Sequence, residues 1–282
     1  MRQMTLLALC LAGTVPLVAC QQGVSRSQAD KAVAEVAAID QSSLNDIMLT
    51  VADPVEAVNY FKNALTVSPD RIDLKRGLAK SLSRAGLYSE AVTIQNEIIA
   101  SPDATDADRL ALADVLIRSN DWTKAETVLN SIPPTVETYE RYRLEAMVAD
   151  SKKDWKKADS FYEIAMGMTT KPQGVLNNWG YSKLTRGDGP GAEKLFIQSL
   201  TYDPSFFTAK NNLVLARAAQ HKYDLPVIQM TQEERSQLLY TAGLAAIKQG
   251  DLNEGKRLLH SAIDTSPTFF EAATRSLAAL EN

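Results

Sequence analysis

Cysteine and histidine are nearly absent: the chain of 282 residues has two of each. His221 and His260 cannot build a zinc-type cluster on their own. Cys10 and Cys20 both lie at the very start, so no disulfide framework can staple the remainder. Strand signals are scarce as well. Few runs alternate Val, Ile or Thr with polar residues, and the one Asp-Gly pair, Asp188-Gly189, sits between two helical patterns rather than in a hairpin. This leaves an all-α chain. No Gly-x-Ser-x-Gly elbow is present, and the Gly-rich run Arg186-Gly-Asp-Gly-Pro-Gly191 follows no strand, so it reads as an inter-helix turn and not as a phosphate cradle. Glu233 and Glu234 fall in the first turn of an expected helix, where acids suit the helix dipole. No catalytic, metal-binding or cofactor-binding residue is assigned, and an enzyme is not expected. Charge is mildly acidic and dispersed, 34 acids against 30 bases. That balance argues against a nucleic-acid partner or a polybasic membrane patch.

What the chain has instead is a period. Ala57, Ala91, Ala125, Ala158 and Ala192 recur at steps of 34, 34, 33 and 34 residues. The stretch Asn177 to Pro204 shows the unit best: two short amphipathic patterns joined by a Gly-rich turn, marked by Trp179, Gly180, Ala192, Phe196 and Pro204. A small residue recurring at one point of such a period signals stacked helix pairs, in which each unit buries its apolar face only against its neighbours. Ala or Gly lets two helix axes approach where Leu would hold them apart.

The first nineteen residues read as a targeting segment. Arg2 supplies the positive start, and the apolar run Thr5–Val18 is shorter than the roughly twenty residues a bilayer span needs. Leu17-Val18-Ala19-Cys20 resembles the bacterial lipobox. That resemblance implies cleavage before Cys20 and covalent lipid on Cys20, with Gln21 leaning toward the outer membrane. At about 0.8 kcal/mol per buried CH₂, several acyl chains hold a protein to a membrane where a single one does so only marginally. An ordinary secretory signal with a cysteine at its cleavage site is the plainer alternative. Residues 20–30 then read as a lipidated cysteine and a polar tether, and residues 31–282 as the repeat body.

The units resemble the tetratricopeptide repeat, a helix-turn-helix of 34 residues. Unit one runs from Lys31, with Asp53-Pro54 opening its second helix and Ala57, Phe61, Ala64 and Pro69 following. Unit two carries Leu78, Ala79, Leu82, Gly86, Tyr88, Ala91 and Ile98. Unit three carries Leu112, Ala113, Leu116, Trp122, Ala125, Leu129 and Ile132, and unit four Ala146, Trp155, Ala158, Tyr162, Ala165 and Pro172. Unit six opens at Phe207 but breaks down over about 219–230, where Pro226 interrupts any helix. Thr231 to Glu234 looks like a capping box restarting a helix near Gln232, and unit seven follows with Gly243, Ala246, Gly250, Gly255, Leu259, Ala262 and Pro267. The resemblance implies a right-handed α-solenoid of about six to seven such units, with Phe270–Leu280 as a C-terminal capping helix. Trp122 and Trp155 are expected in the core.

The same resemblance places certain first-helix positions on a concave groove that binds peptides. Carried over unit by unit, these are Arg76, Lys80, Asp114, Arg143, Asn177, Asn178, Tyr181, Asn211 and Asn212. Asparagine can serve an extended peptide backbone as both donor and acceptor; alternatively, Asn178 and Asn212 only brace the neighbouring helix. With Asn177-Asn178-Trp179-Gly180-Tyr181 in unit five, Asn211-Asn212-Leu213 in unit six and an anchored N-terminus, the chain resembles the TadD-type lipoproteins of tight-adherence (Flp) pilus systems. This implies an outer-membrane adaptor that captures a secretin or another pilus component. Pilotin-like lipoproteins of type IV pili, or a periplasmic scaffold docking peptidoglycan enzymes, are the alternatives.

Overall fold

The computed structural model describes residues 44–280. The chain separates into two units, residues 1–53 and residues 54–282. In the first, residues 44–50 form helix α1. The expected leader 1–19, Cys20 and its tether, and the start of the helical pattern at Lys31 lie outside the described residues.

The second unit holds helices α2 (Pro54–Val67), α3 (Ile72–Arg84), α4 (Tyr88–Ile99), α5 (Asp106–Arg118), α6 (Trp122–Asn130), α7 (Tyr139–Ser151) and α8 (Trp155–Gly167). It continues with α9 (Gln173–Thr185), α10 (Gly189–Tyr202), α11 (Phe207–Ala218), α12 (Gln232–Lys248), α13 (Leu252–Thr265) and α14 (Glu271–Ala278). No strand occurs among the described residues. The pairs α3/α4, α5/α6, α7/α8, α9/α10 and α12/α13 are antiparallel hairpins, and each second helix also packs on the first helix of the next hairpin. The result is an α-solenoid of helical hairpins, with α14 laid on α13 as its terminal cap.

The period explains the packing. Ala57, Ala91, Ala125, Ala158 and Ala192 are all fully buried, one in the second helix of each unit. Four residues further on, Phe61, Leu129, Tyr162 and Phe196 fill the layer between hairpins. Two glycines make room for the two phenylalanines. A Cβ built on Gly77 would lie 2.3 Å from the ring of Phe61, and one on Gly180 would lie 2.7 Å from the ring of Phe196. Burying such an aromatic contributes about 1.5–3 kcal/mol, which a modest helix-propensity loss at glycine does not cancel.

A second regularity sits in the turns. Each first helix from α3 onward ends on a left-handed residue: Gly86, Asn120, Lys153, Gly187, His221 and Gly250. The bond pattern repeats with it. Leu87 N–H reaches Leu82 O at 2.9 Å, Asp121 N–H reaches Leu116 O at 2.8 Å, and Asp188 N–H reaches Lys183 O at 2.9 Å. This is the Schellman closure, which satisfies carbonyls the helix end would otherwise orphan. The next residue is usually aspartate. Asp121, Asp154 and Asp188 cap α6, α8 and α10 by accepting from the backbone N–H three residues on.

Unit six breaks at this point. Its left-handed residue, His221, and its closing bond, Lys222 N–H to Arg217 O at 3.0 Å, are intact. Lys222 stands where aspartate usually does, but α4 starts after Leu87 without a side-chain cap. The break therefore belongs to Pro226, four residues on, where a second helix would be in its first turns. Residues 223–230 cross instead as irregular backbone with bends at 224 and 227. Tyr223, Leu225 and Met230 pack onto the core of α12 and α13, while Ile228 packs onto that of α10 and α11. The chain thus supplies the missing helix's apolar contacts without its backbone, and α11 meets α12 directly. At Thr231 a capping box restarts the helix: Thr231 Oγ1 accepts from Glu234 N–H at 3.1 Å, and Glu234 Oε2 accepts from Thr231 N–H at 2.9 Å.

Candidate peptide-binding face

Contacts of α5 with α7, α7 with α9 and α9 with α11 set the first helices side by side along one face. Three grooves run between them. The first, about 600 Å³, lies between α3 and α5 and is lined by Arg76, Lys80, Arg84, Asp108, Asp114 and Arg118 over a floor of Ala79, Ala111 and Gln95. The second, about 590 Å³, lies between α5 and α7 and shares Asp114 with the first; Arg143 lines it as well. The third, about 280 Å³, lies between α7 and α9, with Met147, Asp150, Asn177, Asn178 and Tyr181 beside Trp122, Trp155 and Tyr162.

Charge in the first two grooves is organised around two aspartates. Asp108 receives Arg76 in a two-pronged pair, Nε to Oδ1 at 2.7 Å and Nη2 to Oδ2 at 2.8 Å. Asp114 receives Arg118 Nε at 2.6 Å and Arg143 Nη2 at 2.8 Å, so it ties α5 to α7. Burial works to raise both carboxyls. The guanidiniums outweigh it and hold each below the ordinary aspartate value. Lys80, exposed on the rim, forms no ion pair with a described residue.

In the third groove the balance is reversed. Asp150 accepts from Tyr162 OH at 2.8 Å and Ser182 Oγ at 2.7 Å, and burial carries its carboxyl above the ordinary value despite those bonds. Tyr162 stacks on Trp179, whose Nε1–H donates to Asp159 at 2.6 Å. Arg186 also pairs with Asp159 and lies 5.6 Å from the Trp155 ring centroid. Both Trp122 and Trp155 are partly buried and line this groove. Trp122 also packs on the core of α5, α6 and α7, as expected, whereas Trp155, expected in the core as well, lies under Arg186.

The asparagines divide. Asn212, 8% exposed, donates from Nδ2 to Oδ1 of Asn177, itself 7% exposed, at 3.0 Å. Asn211 accepts from Thr241 Oγ1 at 2.7 Å, and Asn178 Nδ2 lies 3.5 Å from Met147 Sδ. Each bond joins one first helix to the next, so the pairs brace the solenoid. Asn211 and Asn212 line none of the three grooves. Asn178 and Tyr181 do, and Tyr181 is 53% exposed. Gln95 and Asp150 were not foreseen. Gln95 had a visible sign, a polar residue on the inward stripe between Ala91 and Ile98.

Among the described residues no group of three or more His, Cys, Asp or Glu side chains is placed to hold a metal ion, and no helix is long and apolar enough to cross a membrane.

No family model matches the chain. Over 199 residues, 62% of its length, it is 23% identical to the tetratricopeptide repeat protein 21 homolog of Caenorhabditis briggsae, of which the match spans only 15%. Among solved structures, that of the APC/C hetero-tetramer Cut9–Hcn1 resembles 86% of the chain at a TM-score of 0.58 and 12% identity, the chain covering 48% of it. A tetratricopeptide repeat protein from Parabacteroides merdae resembles 82% of the chain at 0.53 and 13%, and 93% of that protein is covered. The human IFIT1 dimer structure resembles 80% at 0.58 and 15%, with 59% covered. Repeat length, hairpin stacking and these likenesses together make the chain's fold that of the tetratricopeptide-repeat proteins.

Proposed function

We propose that the chain is a membrane-anchored adaptor that binds segments of protein partners along the face built by α3, α5, α7 and α9. The observation that carries this is the row of three grooves between successive first helices, the first two continuous through Asp114, with charge grouped at one end and aromatic side chains at the other. Extended segments suit such a face, since a rigid row of helices spends no ordering entropy of its own on binding. The lipobox-like Leu17-Val18-Ala19-Cys20 supports a lipid on Cys20 and a site at the periplasmic face of the outer membrane. The likeness to TadD-type lipoproteins supports a role in Flp (Tad) pilus or secretin assembly, in which the anchor delivers the partner to the membrane. The role is positioning, with no chemistry of its own.

Two substitutions test it. Cys20→Ser moves the protein from the membrane fraction to the soluble periplasm; continued membrane fractionation would contradict the anchor. Pull-down with the Asn178→Ala/Tyr181→Ala double variant loses the secretin or other pilus component that the wild type retains. Retention of every partner by that variant would contradict the groove.

A further inference from the structure

One side chain in the first groove is not accounted for by the fold. In the other second helices, the residue four after the buried alanine is a space-filling one: Phe61, Leu129, Tyr162 or Phe196. After Ala91 that place belongs to Gln95. It is 4% exposed, and its Oε1 is buried with no hydrogen-bond partner. An aromatic knob there would fill the layer, as Phe61 does against Gly77 and Phe196 against Gly180. Instead, Gln95 sits with Ala79 and Ala111 on the floor of an open groove of about 600 Å³. Burying the amide oxygen without a donor destabilises the free protein. A ligand that supplied the missing bond would recover that loss.

The groove also limits what that ligand is. Arg76 and Arg118 on its walls are already paired with Asp108 and Asp114, and Lys80 stands exposed beside them with no ion pair to a described residue. A ligand's ammonium or guanidinium would meet Lys80 unfavourably. A carboxylate seated on the floor could accept but not donate, and would leave Oε1 unmet. A hydroxyl can donate to Oε1 and accept from Nε2, but only through one oxygen, which bends both bonds. A primary amide gives one N–H to Oε1 and accepts one from Nε2 through separate atoms, in a two-bond ring with straight bonds.

Resting on the adaptor reading above, we propose that this groove selects an acidic segment of the protein partner by seating a glutamine or asparagine side chain on Gln95. A flanking glutamate or aspartate of that segment faces Lys80.

The test uses fluorescein-labelled decapeptides whose glutamates flank one central residue, Gln, Met or Tyr, titrated onto the full-length protein by fluorescence anisotropy. The Gln peptide binds at least about tenfold tighter than the other two, the scale expected when one buried polar pair is left unmade. Gln95→Met removes that preference and melts at or above the wild-type temperature, and Lys80→Glu weakens all three peptides alike. Equal affinity for the three peptides, no binding of the Gln peptide, or discrimination that survives Gln95→Met would each overturn the proposal. A large fall in melting temperature for Gln95→Met would overturn the claim that the amide is unpaired in the free protein. Photo-reactive residues placed at Ala111 and Tyr181 separate the two readings. Partner cross-links at Tyr181 without peptide discrimination sink this inference and leave the adaptor standing, whereas no cross-link at either position sinks both.

Discussion

At the scale of single residues, the left-handed turn positions carry the sharpest prediction. Lys153 holds φ 61° where Gly86, Gly187 and Gly250 do so freely. A side chain in that conformation costs about 1–2 kcal/mol, part of which glycine returns through its larger unfolded-state entropy. Lys153→Gly therefore stabilises the protein by about 1 kcal/mol, read as a rise in urea midpoint. Carboxylates give the pH dependence. Asp108, Asp114, Asp159, Glu193 and Glu234 are buried enough to be raised, yet their basic or hydrogen-bonding partners hold all five below their ordinary values. Such groups bind protons less readily folded than unfolded, so their stabilisation is complete above about pH 5 and is lost as pH falls through the folded values. Asp150, raised by burial, acts in the opposite sense: its contribution is present at low pH and lost as pH rises through its folded value. Thermal melts from pH 7 down to 3 should show a steep net fall below about pH 4, because the five outnumber the one.

At the scale of elements, close approach and the repaired sixth unit are the tests. Gly180→Ala drives a methyl into the Phe196 ring and destabilises by about 1–3 kcal/mol, although alanine is the better helix former. Adding Phe196→Leu should recover part of the loss, as a coupling in a double-mutant cycle. Between α11 and α12, Lys210 is 3% exposed and pairs with both oxygens of Glu234 at 2.9 and 2.8 Å, the same carboxylate that closes the capping box. Glu234→Gln strands a buried ammonium and costs about 3 kcal/mol, while Lys210→Met, which removes the charge but keeps the volume, costs far less. Equal losses in urea denaturation would show that the pair is not buried as described. These elements also show what the sequence could carry. The five alanines, the Thr231–Glu234 box and the Gly86, Gly187 and Gly250 turns are local patterns, legible one residue at a time. The partners of Asn177, Asn178, Asn211 and Asn212 lie 30 or more residues away, so whether they served a ligand or a neighbouring helix depended on helix rotation that the period alone does not set. The crossing of residues 223–230 was legible as a broken helix through Pro226. How Leu225, Ile228 and Met230 replace that helix was not, because their contacts reach two separate cores.

At the scale of the whole molecule, the second unit is a row of hairpins that each touch chiefly their neighbours, so stability is a sum of local terms and interfaces. The inner face runs across three of those interfaces, and its central claim is that partners lie along it. The most direct measurement is site-specific photo-cross-linking in cells, with the reactive side chain at Tyr181 in the third groove or at Ile197, an exposed residue of α10 that lines none of the grooves. The account predicts a discrete partner adduct at position 181 and none at 197. Adducts at 197 with none at 181 would contradict it.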